Sequence, residues 1–114
     1  MNKVTSDELN NAAMQMILHA GNCRNLLNEA VIETIDEQSE ESVNKKLKEA
    51  KDEITIAHKI QTDMIQSTIE YDELQTTLLF THAQDTLMTI NSEVNMSNHI
   101  IRMYRKIAVK VGNL

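Results

Sequence analysis

The sequence predicts an all-α protein, an antiparallel up-down-up bundle of three long helices. Its 114 residues include no proline and two glycines, so the residues that punctuate strands and hairpins are almost absent. Apolar residues recur at alternating spacings of three and four in three segments of roughly 30 residues each, which is typical of helices with one buried face. Three helices of similar length joined by short turns alternate in direction and fill a single domain spanning residues 1–114.

The first helix is predicted to begin at Thr5-Ser6-Asp7-Glu8, which has the form of a capping box. In that motif a hydroxyl and a carboxylate satisfy N–H groups that have no partner within the helix. The acidic run IDEQSEES interrupts the apolar pattern and predicts a turn. The predicted buried stripe of this helix is Leu9, Ala13, Met16, Ala20, Cys23, Leu27 and Ala30.

The second helix is predicted to begin at Ser39, an N-cap followed by the dipole-favoured acids Glu40 and Glu41. After STIEYDEL ends its periodicity, Asp72 and Gln75 form a second capping-box candidate, and the third helix is predicted from there to about Lys110. The predicted buried stripe of the second helix is Val43, Leu47, Ala50, Ile54, Ala57, Gln61 and Met64.

The third helix carries two stripes. The predicted core stripe is Leu79, Ala83, Ile90, Val94 and Ile101. A second stripe lies roughly 80 to 120° away and mixes apolar with polar residues. It comprises Leu78, His82, Asp85, Thr89, Ser92, Met96 and Met103. A single bundle needs only the first stripe buried, so the second stripe suggests contact with other subunits, where an ionised acid needs a partner or a cation.

The spacing of His82 and Asp85 is consistent with two interpretations. They form either an ordinary solvated pair one turn apart or part of a reactive site, because a neutral imidazole is a good nitrogen nucleophile for a phosphoryl group. Spacing alone leaves both open.

Charge and composition exclude several classes of protein. A net charge of −6 argues against general nucleic-acid binding, which needs a basic surface. The apolar runs are too short for membrane insertion, the polar and acidic N-terminus is unlike a signal peptide, and Cys23 has no second cysteine for an internal disulfide. A location in the cytoplasm is therefore expected.

Four segments resemble one protein family. THAQDTLMT is similar to the HAQDHLMT signature of the lactose/cellobiose (chitobiose) class of enzyme IIA, a component of the bacterial sugar phosphotransferase system. HAGNCRNLLNEA resembles its AG-x-AR-S segment, IAHKIQTDMI its AH-x-x-QT-x-L-I segment, and IIRMYRK its closing LI-x-LY-x-K. The matching positions in the middle two segments are Gly21, Arg24, Ala57, His58, Gln61 and Thr62. The resemblance covers nearly the whole chain.

The resemblance implies a phosphotransferase component that assembles as a homotrimer of nine helices. His82 would accept a phosphoryl group from the carrier protein HPr and pass it to a cysteine of the IIB component, and the membrane component IIC would then phosphorylate the sugar during uptake. Asp85 would lie on the three-fold axis, where three copies hold one divalent cation, expected to be Mg²⁺. Gln84 would belong to the surroundings of the site, although the sequence fits a solvated glutamine equally well.

The main departure from the family pattern is Thr86, which stands where the family commonly has a second histidine. Its hydroxyl can donate a hydrogen bond to phosphate but carries no positive charge. Around His82, the residues Leu78, Leu79 and Phe80 are predicted to form an apolar surface for HPr and IIB, with Leu79 turned towards the core.

Two other functions remain open at this point. One is a histidine phosphotransfer domain of a phosphorelay, although such domains usually follow the histidine with a lysine and a glycine that HAQDTLM lacks. The other is a non-catalytic helical assembly protein in which Asp85 only specifies the oligomeric state. The sequence does not distinguish lactose, cellobiose and chitobiose as the sugar.

Overall fold

The computed structural model describes residues 4–70 and 76–112, except the side chains of residues 68–70. It contains three helices, α1 (Ser6–Ile35), α2 (Glu40–Glu70) and α3 (Leu78–Gly112), and the described residues include no strand. The predicted all-α fold is confirmed.

Side-chain contacts show the alternating direction of the helices. Glu33 near the end of α1 contacts Ser42 at the start of α2, whereas His19 contacts Glu53 farther along. Arg105 near the end of α3 contacts Asn44 at the start of α2. Each helix therefore runs antiparallel to the one before it, as predicted.

Two of the predicted helix starts are confirmed by their hydrogen bonds. The Glu8 N–H donates to Thr5 Oγ1 at 3.1 Å, and the Ser42 N–H donates to Ser39 Oγ at 3.1 Å. Each hydroxyl satisfies an N–H group that lies too early in its helix to have a helical partner.

The predicted start of α3 between Asp72 and Gln75 lies outside the described residues. Within them, α3 begins at Leu78, and Thr77 caps it by accepting a hydrogen bond from the Phe80 N–H at 3.1 Å.

The turn between α1 and α2 closes α1 without a glycine. Glu37 has a φ of 58°, in the left-handed region. The Gln38 N–H donates to the Glu33 carbonyl at 2.9 Å, and the Glu37 N–H donates to the Thr34 carbonyl at 3.2 Å. This is the Schellman arrangement, in which a left-handed residue lets two N–H groups turn back onto the last carbonyls of the helix. Glu37 occupies the position that glycine usually takes.

The core is built mostly from small and aliphatic side chains, and α1 is its centre. The predicted α1 stripe is buried throughout. In α2 and α3 most predicted core residues are buried, while Leu47, Met64 and Leu79 are partly buried against the core and Gln61 is half-buried. The fully buried residues of these two helices are Val43, Ala50, Ile54, Ala57, Phe80, Ala83, Leu87, Ile90, Val94 and Ile101.

Helix α1 packs extensively on both other helices, whereas α2 and α3 make few contacts with each other. The rotation of α3 about its own axis is therefore determined mainly by α1. None of the helices, as far as they are described, has the length and apolar character needed to cross a membrane.

Candidate functional site

His82 lies in the second turn of α3, with its side chain exposed. The next residue, Ala83, is buried in the core, so the helix turns the imidazole away from the bundle. No other described side chain hydrogen-bonds to the imidazole. Both ring nitrogens are therefore available to a molecule approaching from solvent.

Asp85 is exposed on the same side of α3, but it does not pair with His82. No hydrogen bond or ion pair joins the imidazole to the carboxylate, and no other described side chain pairs with Asp85. A solvated His82–Asp85 pair, one of the two interpretations of their spacing, is therefore not formed. Within the described part of the chain, the imidazole and the carboxylate therefore lie about one turn apart on one side of α3, each without a partner.

The two residues that flank Asp85 differ in their surroundings. Thr86 donates a hydrogen bond from its hydroxyl to the His82 carbonyl at 2.9 Å, which is a common arrangement for threonine inside a helix. Gln84 is half-buried and lies roughly 160° around the helix from His82. Thr86 therefore shares the His82 face, whereas Gln84 does not.

The apolar surface predicted around His82 is only partly present. Leu78 is 88% exposed, one turn before His82, and Leu79 is partly buried against the core as expected. Phe80 is only 4% exposed, so its predicted place on this surface is wrong. Phe80 and Leu87 are seven residues apart and share the core face, because seven residues complete almost two helical turns.

The described residues contain no group of three His, Cys, Asp or Glu side chains that could hold a metal ion. Asp85 supplies one carboxylate of the hard oxygen type that Mg²⁺ prefers. The carboxylate is exposed and has no partner among the described residues, so water or other molecules would have to supply the remaining ligands of such an ion.

The sequence did not predict the polar contacts across the bundle, two of which lie near Cys23. Arg24 on α1 donates to both carboxylate oxygens of Glu93 on α3, from Nε at 2.9 Å and from Nη2 at 2.7 Å. These bonds hold the pKa of Glu93 below its usual value and raise that of Arg24. His19 contacts Glu53 on α2 at 2.5 Å. No local pattern marks these pairs, because their partners are 69 and 34 residues apart.

Cys23 lies within this polar layer and is fully buried. Burial, with the negative charges of Glu53 and Glu93, raises the pKa of its thiol to about 11. The thiol is therefore protonated at neutral pH and is not a nucleophile.

The sequence matches a known family. The profile of the family described as "PTS system, Lactose/Cellobiose specific IIA subunit" matches residues 11–105, which include His82 and Asp85. The chain is 36% identical over 107 residues to the lichenan-specific phosphotransferase enzyme IIA component of Bacillus subtilis (strain 168), an alignment covering 94% of this chain and 96% of that protein.

Solved structures show the same relationship. The crystal structure of the phosphotransferase-system cellobiose-specific enzyme IIA from Bacillus anthracis is similar with a TM-score of 0.82 and 29% identity, covering 93% of this chain and 94% of that one. The crystal structure of PtcA from S. mutans is similar with a TM-score of 0.82 and 32% identity, covering 89% and 98%. The chain therefore belongs to the lactose/cellobiose-specific IIA family, the enzyme IIA components of the sugar phosphotransferase system.

Proposed function

We propose that this chain is the phosphoryl carrier of its sugar phosphotransferase system, with His82 as the residue that is transiently phosphorylated. The observation that carries the proposal is the exposed His82 imidazole, which has no partner among the described residues and lies inside the family match. An unpaired neutral imidazole keeps a lone pair free for attack.

The transfer consists of two displacements at phosphorus. A ring nitrogen of His82 attacks the phosphoryl group on HPr, so that a new P–N bond forms as the bond to HPr breaks. A cysteine thiolate of IIB then attacks the same phosphorus, a P–S bond forms, and His82 is released. Such transfers depend mainly on positioning and charge stabilisation. Leu78, exposed one turn before His82, gives each partner an apolar contact beside the ring.

The residues near His82 have supporting roles in this proposal. The Thr86 hydroxyl turns from the His82 carbonyl to a phosphoryl oxygen when the ring is phosphorylated, since a hydrogen bond to a charged oxygen is stronger than one to a neutral carbonyl. Gln84 points away from its own His82 and reaches the site of a neighbouring subunit.

The proposed assembly is a homotrimer in which three Asp85 carboxylates meet on the three-fold axis. Three like charges at one place repel each other, and a bound Mg²⁺ with oxygen ligands turns that repulsion into attraction. The Asp85 carboxylate supports this role, because it is exposed and has no partner among the residues that the structure describes. The trimer acts in the cytoplasm, between HPr and the IIB component.

The sugar is proposed to belong to the lactose, cellobiose and chitobiose class. Among the relatives, one is named for lichenan and another for cellobiose, so cellobiose is the member of this class that the name of a solved relative supports.

The test is phosphorylation by phosphoenolpyruvate, enzyme I and HPr, followed by intact-mass analysis and acid treatment. We expect one acid-labile phosphoryl group per chain in the wild type and in His99→Gln, which alters an exposed histidine of the same helix. His82→Ala is expected to take up none while keeping its helical circular dichroism. Phosphorylated His82→Ala would contradict the assignment.

The same experiment distinguishes the alternative functions. A folded wild type that never takes up phosphate from HPr would indicate a non-catalytic assembly protein. Phosphorylation by a response regulator but not by HPr would indicate a phosphorelay domain.

A further inference from the structure

Asn10, in the second turn of α1, carries a polar atom that no described contact accounts for. Its side-chain oxygen Oδ1 is buried and accepts no hydrogen bond from the described residues. Glu33 has a similar oxygen, but the other oxygen of its carboxylate accepts a hydrogen bond from Ser42. A buried acceptor without a donor costs free energy, so a native fold usually retains one only where it has a further role. Asn10 therefore calls for an explanation outside the stability of the chain.

The bridge between Arg24 and Glu93 shows which residues of α1 and α3 lie level with each other. The two helices run parallel, because both are antiparallel to α2, and each rises about 1.5 Å per residue. Counting back equally from the bridge on both helices pairs Asn10 with Leu79. His82 lies three residues farther along α3, which is about 4.5 Å. Asn10 and His82 are therefore less than one helical turn apart in height.

Asn10 and His82 also lie on the sides of their helices that the bridge joins. Asn10 precedes Arg24 by four turns, and the two side chains leave α1 in directions that differ by roughly 40°. His82 precedes Glu93 by three turns, and their directions on α3 differ by roughly 20°. Because Arg24 and Glu93 meet across the groove between α1 and α3, Asn10 and His82 line the same groove nearer its N-terminal end.

The chemistry of the two side chains is complementary. A neutral imidazole has one N–H that donates a hydrogen bond, and Asn10 Oδ1 is an acceptor without a donor. The His82 ring is exposed and bonded to no described side chain, so it is free to turn towards the groove. This bond is not formed in the structure. Hydrogen bonds that serve a reaction often close only when the reaction partner is bound.

We propose that Asn10 is a positioning residue for His82, whose ring N–H donates to Asn10 Oδ1 when HPr or IIB docks. This inference rests on the proposed function, in which His82 carries the phosphoryl group. The hydrogen bond fixes the tautomer of the ring, so the lone pair lies on the other nitrogen and points out of the groove towards the phosphorus. That nitrogen forms the P–N bond as the bond to HPr breaks. The proton on the first nitrogen stays in place, and the phosphorylated ring, now positively charged, donates a stronger hydrogen bond to Oδ1.

The neighbouring residue supplies a matched control. Asn10→Leu keeps the size of the side chain but removes the acceptor, and Asn10→Asp keeps an acceptor at the same place. Asn11→Leu makes the first change at an exposed residue that points roughly 100° away. Rapid-quench measurements of transfer from phosphorylated HPr, over a range of HPr concentrations, separate the rate at saturation from the concentration that gives half of that rate.

We expect Asn10→Leu to lower the rate at saturation by about tenfold, because it removes a hydrogen bond to a ring that becomes charged. The half-saturating concentration of HPr should stay within twofold of wild type. Asn11→Leu and Asn10→Asp should transfer at rates within about threefold of wild type. A wild-type rate in Asn10→Leu, equal slowing in Asn11→Leu, or an Asn10→Asp as slow as Asn10→Leu would overturn the inference.

Stability distinguishes positioning from a structural role. Asn10→Leu removes a buried acceptor that has no donor, so urea unfolding should show a stability equal to or above that of the wild type. A slower Asn10→Leu that is also less stable than Asn11→Leu would indicate a structural role and overturn the inference. If Asn10→Leu does not fold, Asn10→Ala replaces it under the same criteria.

A spectroscopic readout observes the hydrogen bond itself. In the phosphorylated chain labelled with ¹⁵N-histidine, the bond to Oδ1 should slow exchange of the His82 ring N–H with water and make its NMR signal observable. The signal is assigned by its loss in His82→Ala. It should be present in wild type and Asn10→Asp and absent from Asn10→Leu. The same signal in Asn10→Leu as in wild type would contradict the bond.

These experiments separate the inference from the proposed function. A wild type that takes up no phosphoryl group would refute the carrier role and the inference together. A wild type that is phosphorylated on His82, with Asn10→Leu equally fast, would refute the inference and leave the carrier role standing.

Discussion

Arg24 and Glu93 join α1 to α3 by two parallel hydrogen bonds of 2.9 and 2.7 Å. Glu93 lies a little more than two turns after Asp85, on the helix whose outward face carries the candidate site. Because α2 contributes little to holding α3, this bridge supplements the apolar core in setting the rotation of α3. Arg24 belongs to HAGNCRNLLNEA, one of the segments that resemble the family. Its contact with Glu93 gives this arginine a structural role.

Glu93→Gln is expected to lower the free energy of unfolding at pH 7 by up to about 1 kcal/mol, since the pair is more than one-third exposed to solvent. Arg24 holds the pKa of Glu93 below its usual value near 4.5. A carboxyl group whose pKa is lowered by folding stabilises the folded state at pH values above its unfolded-state pKa. This contribution is lost as the pH falls through the folded-state pKa. The difference between wild type and variant should therefore be present at pH 7 and shrink below about pH 4.

Urea unfolding of both proteins at a fixed protein concentration, at pH 7 and pH 3, measures this difference. Glu49→Gln, which alters an exposed glutamate of α2 for which no ion pair is observed, is the control. If wild type and Glu93→Gln differed equally in free energy of unfolding at pH 7 and pH 3, the charge of Glu93 would not contribute to stability.

Glu37→Gly is expected to raise the free energy of unfolding by about 0.5 to 1 kcal/mol. A left-handed backbone costs an L-residue about 1–2 kcal/mol, and the greater freedom of glycine in the unfolded chain offsets part of this gain. Glu49→Gly removes the same charge from the interior of α2 and should lower stability by about 1 kcal/mol. Thermal and urea unfolding measure both effects. If Glu37→Gly lowered the free energy of unfolding, the Glu37 side chain would stabilise the fold by more than its left-handed backbone costs.

Thr86→Val is expected to slow phosphoryl transfer from HPr by roughly three- to tenfold, because valine keeps the shape of threonine but cannot donate a hydrogen bond to the phosphoryl group. The matched control is Thr55→Val on α2, whose hydroxyl likewise donates to a helix carbonyl, that of Lys51 at 2.7 Å. Rapid-quench kinetics measure the rates. An unchanged rate would mean that the hydroxyl stays on the His82 carbonyl throughout the reaction.

Asp85→Leu is expected to keep the trimer but remove its dependence on a cation. Apolar packing can replace a buried charged contact without loss of stability, so leucine at the proposed axis keeps the subunits together. The midpoint of thermal unfolding should fall on adding chelator to the wild type and to Asp63→Leu, an exposed aspartate of α2, but not to Asp85→Leu. If Asp85→Leu still responds to chelator, Asp85 is not a cation ligand.

Some contacts could not be predicted because they depend on three-dimensional proximity. Phe80 was expected beside His82, but the apolar run Leu78-Leu79-Phe80 does not by itself indicate which side chain faces inward. The packing of α3 on α1 buries Phe80 and leaves Leu78 exposed. The pairing of His19 with Glu53 and of Arg24 with Glu93 likewise required the helices to be brought together.

The sequence by itself determined the three helices, the caps at Thr5 and Ser39, the core stripes and the family, because helical periodicity, capping and motifs are local properties. Only the tertiary structure decided that His82 and Asp85 are exposed and have no partner among the described residues, and that the Thr86 hydroxyl bonds to the backbone. The core stripe of α3 already predicts which face turns inward. Which side chains then meet across the bundle, and which find no partner, depends on packing between residues far apart in the chain, and local patterns do not encode those contacts.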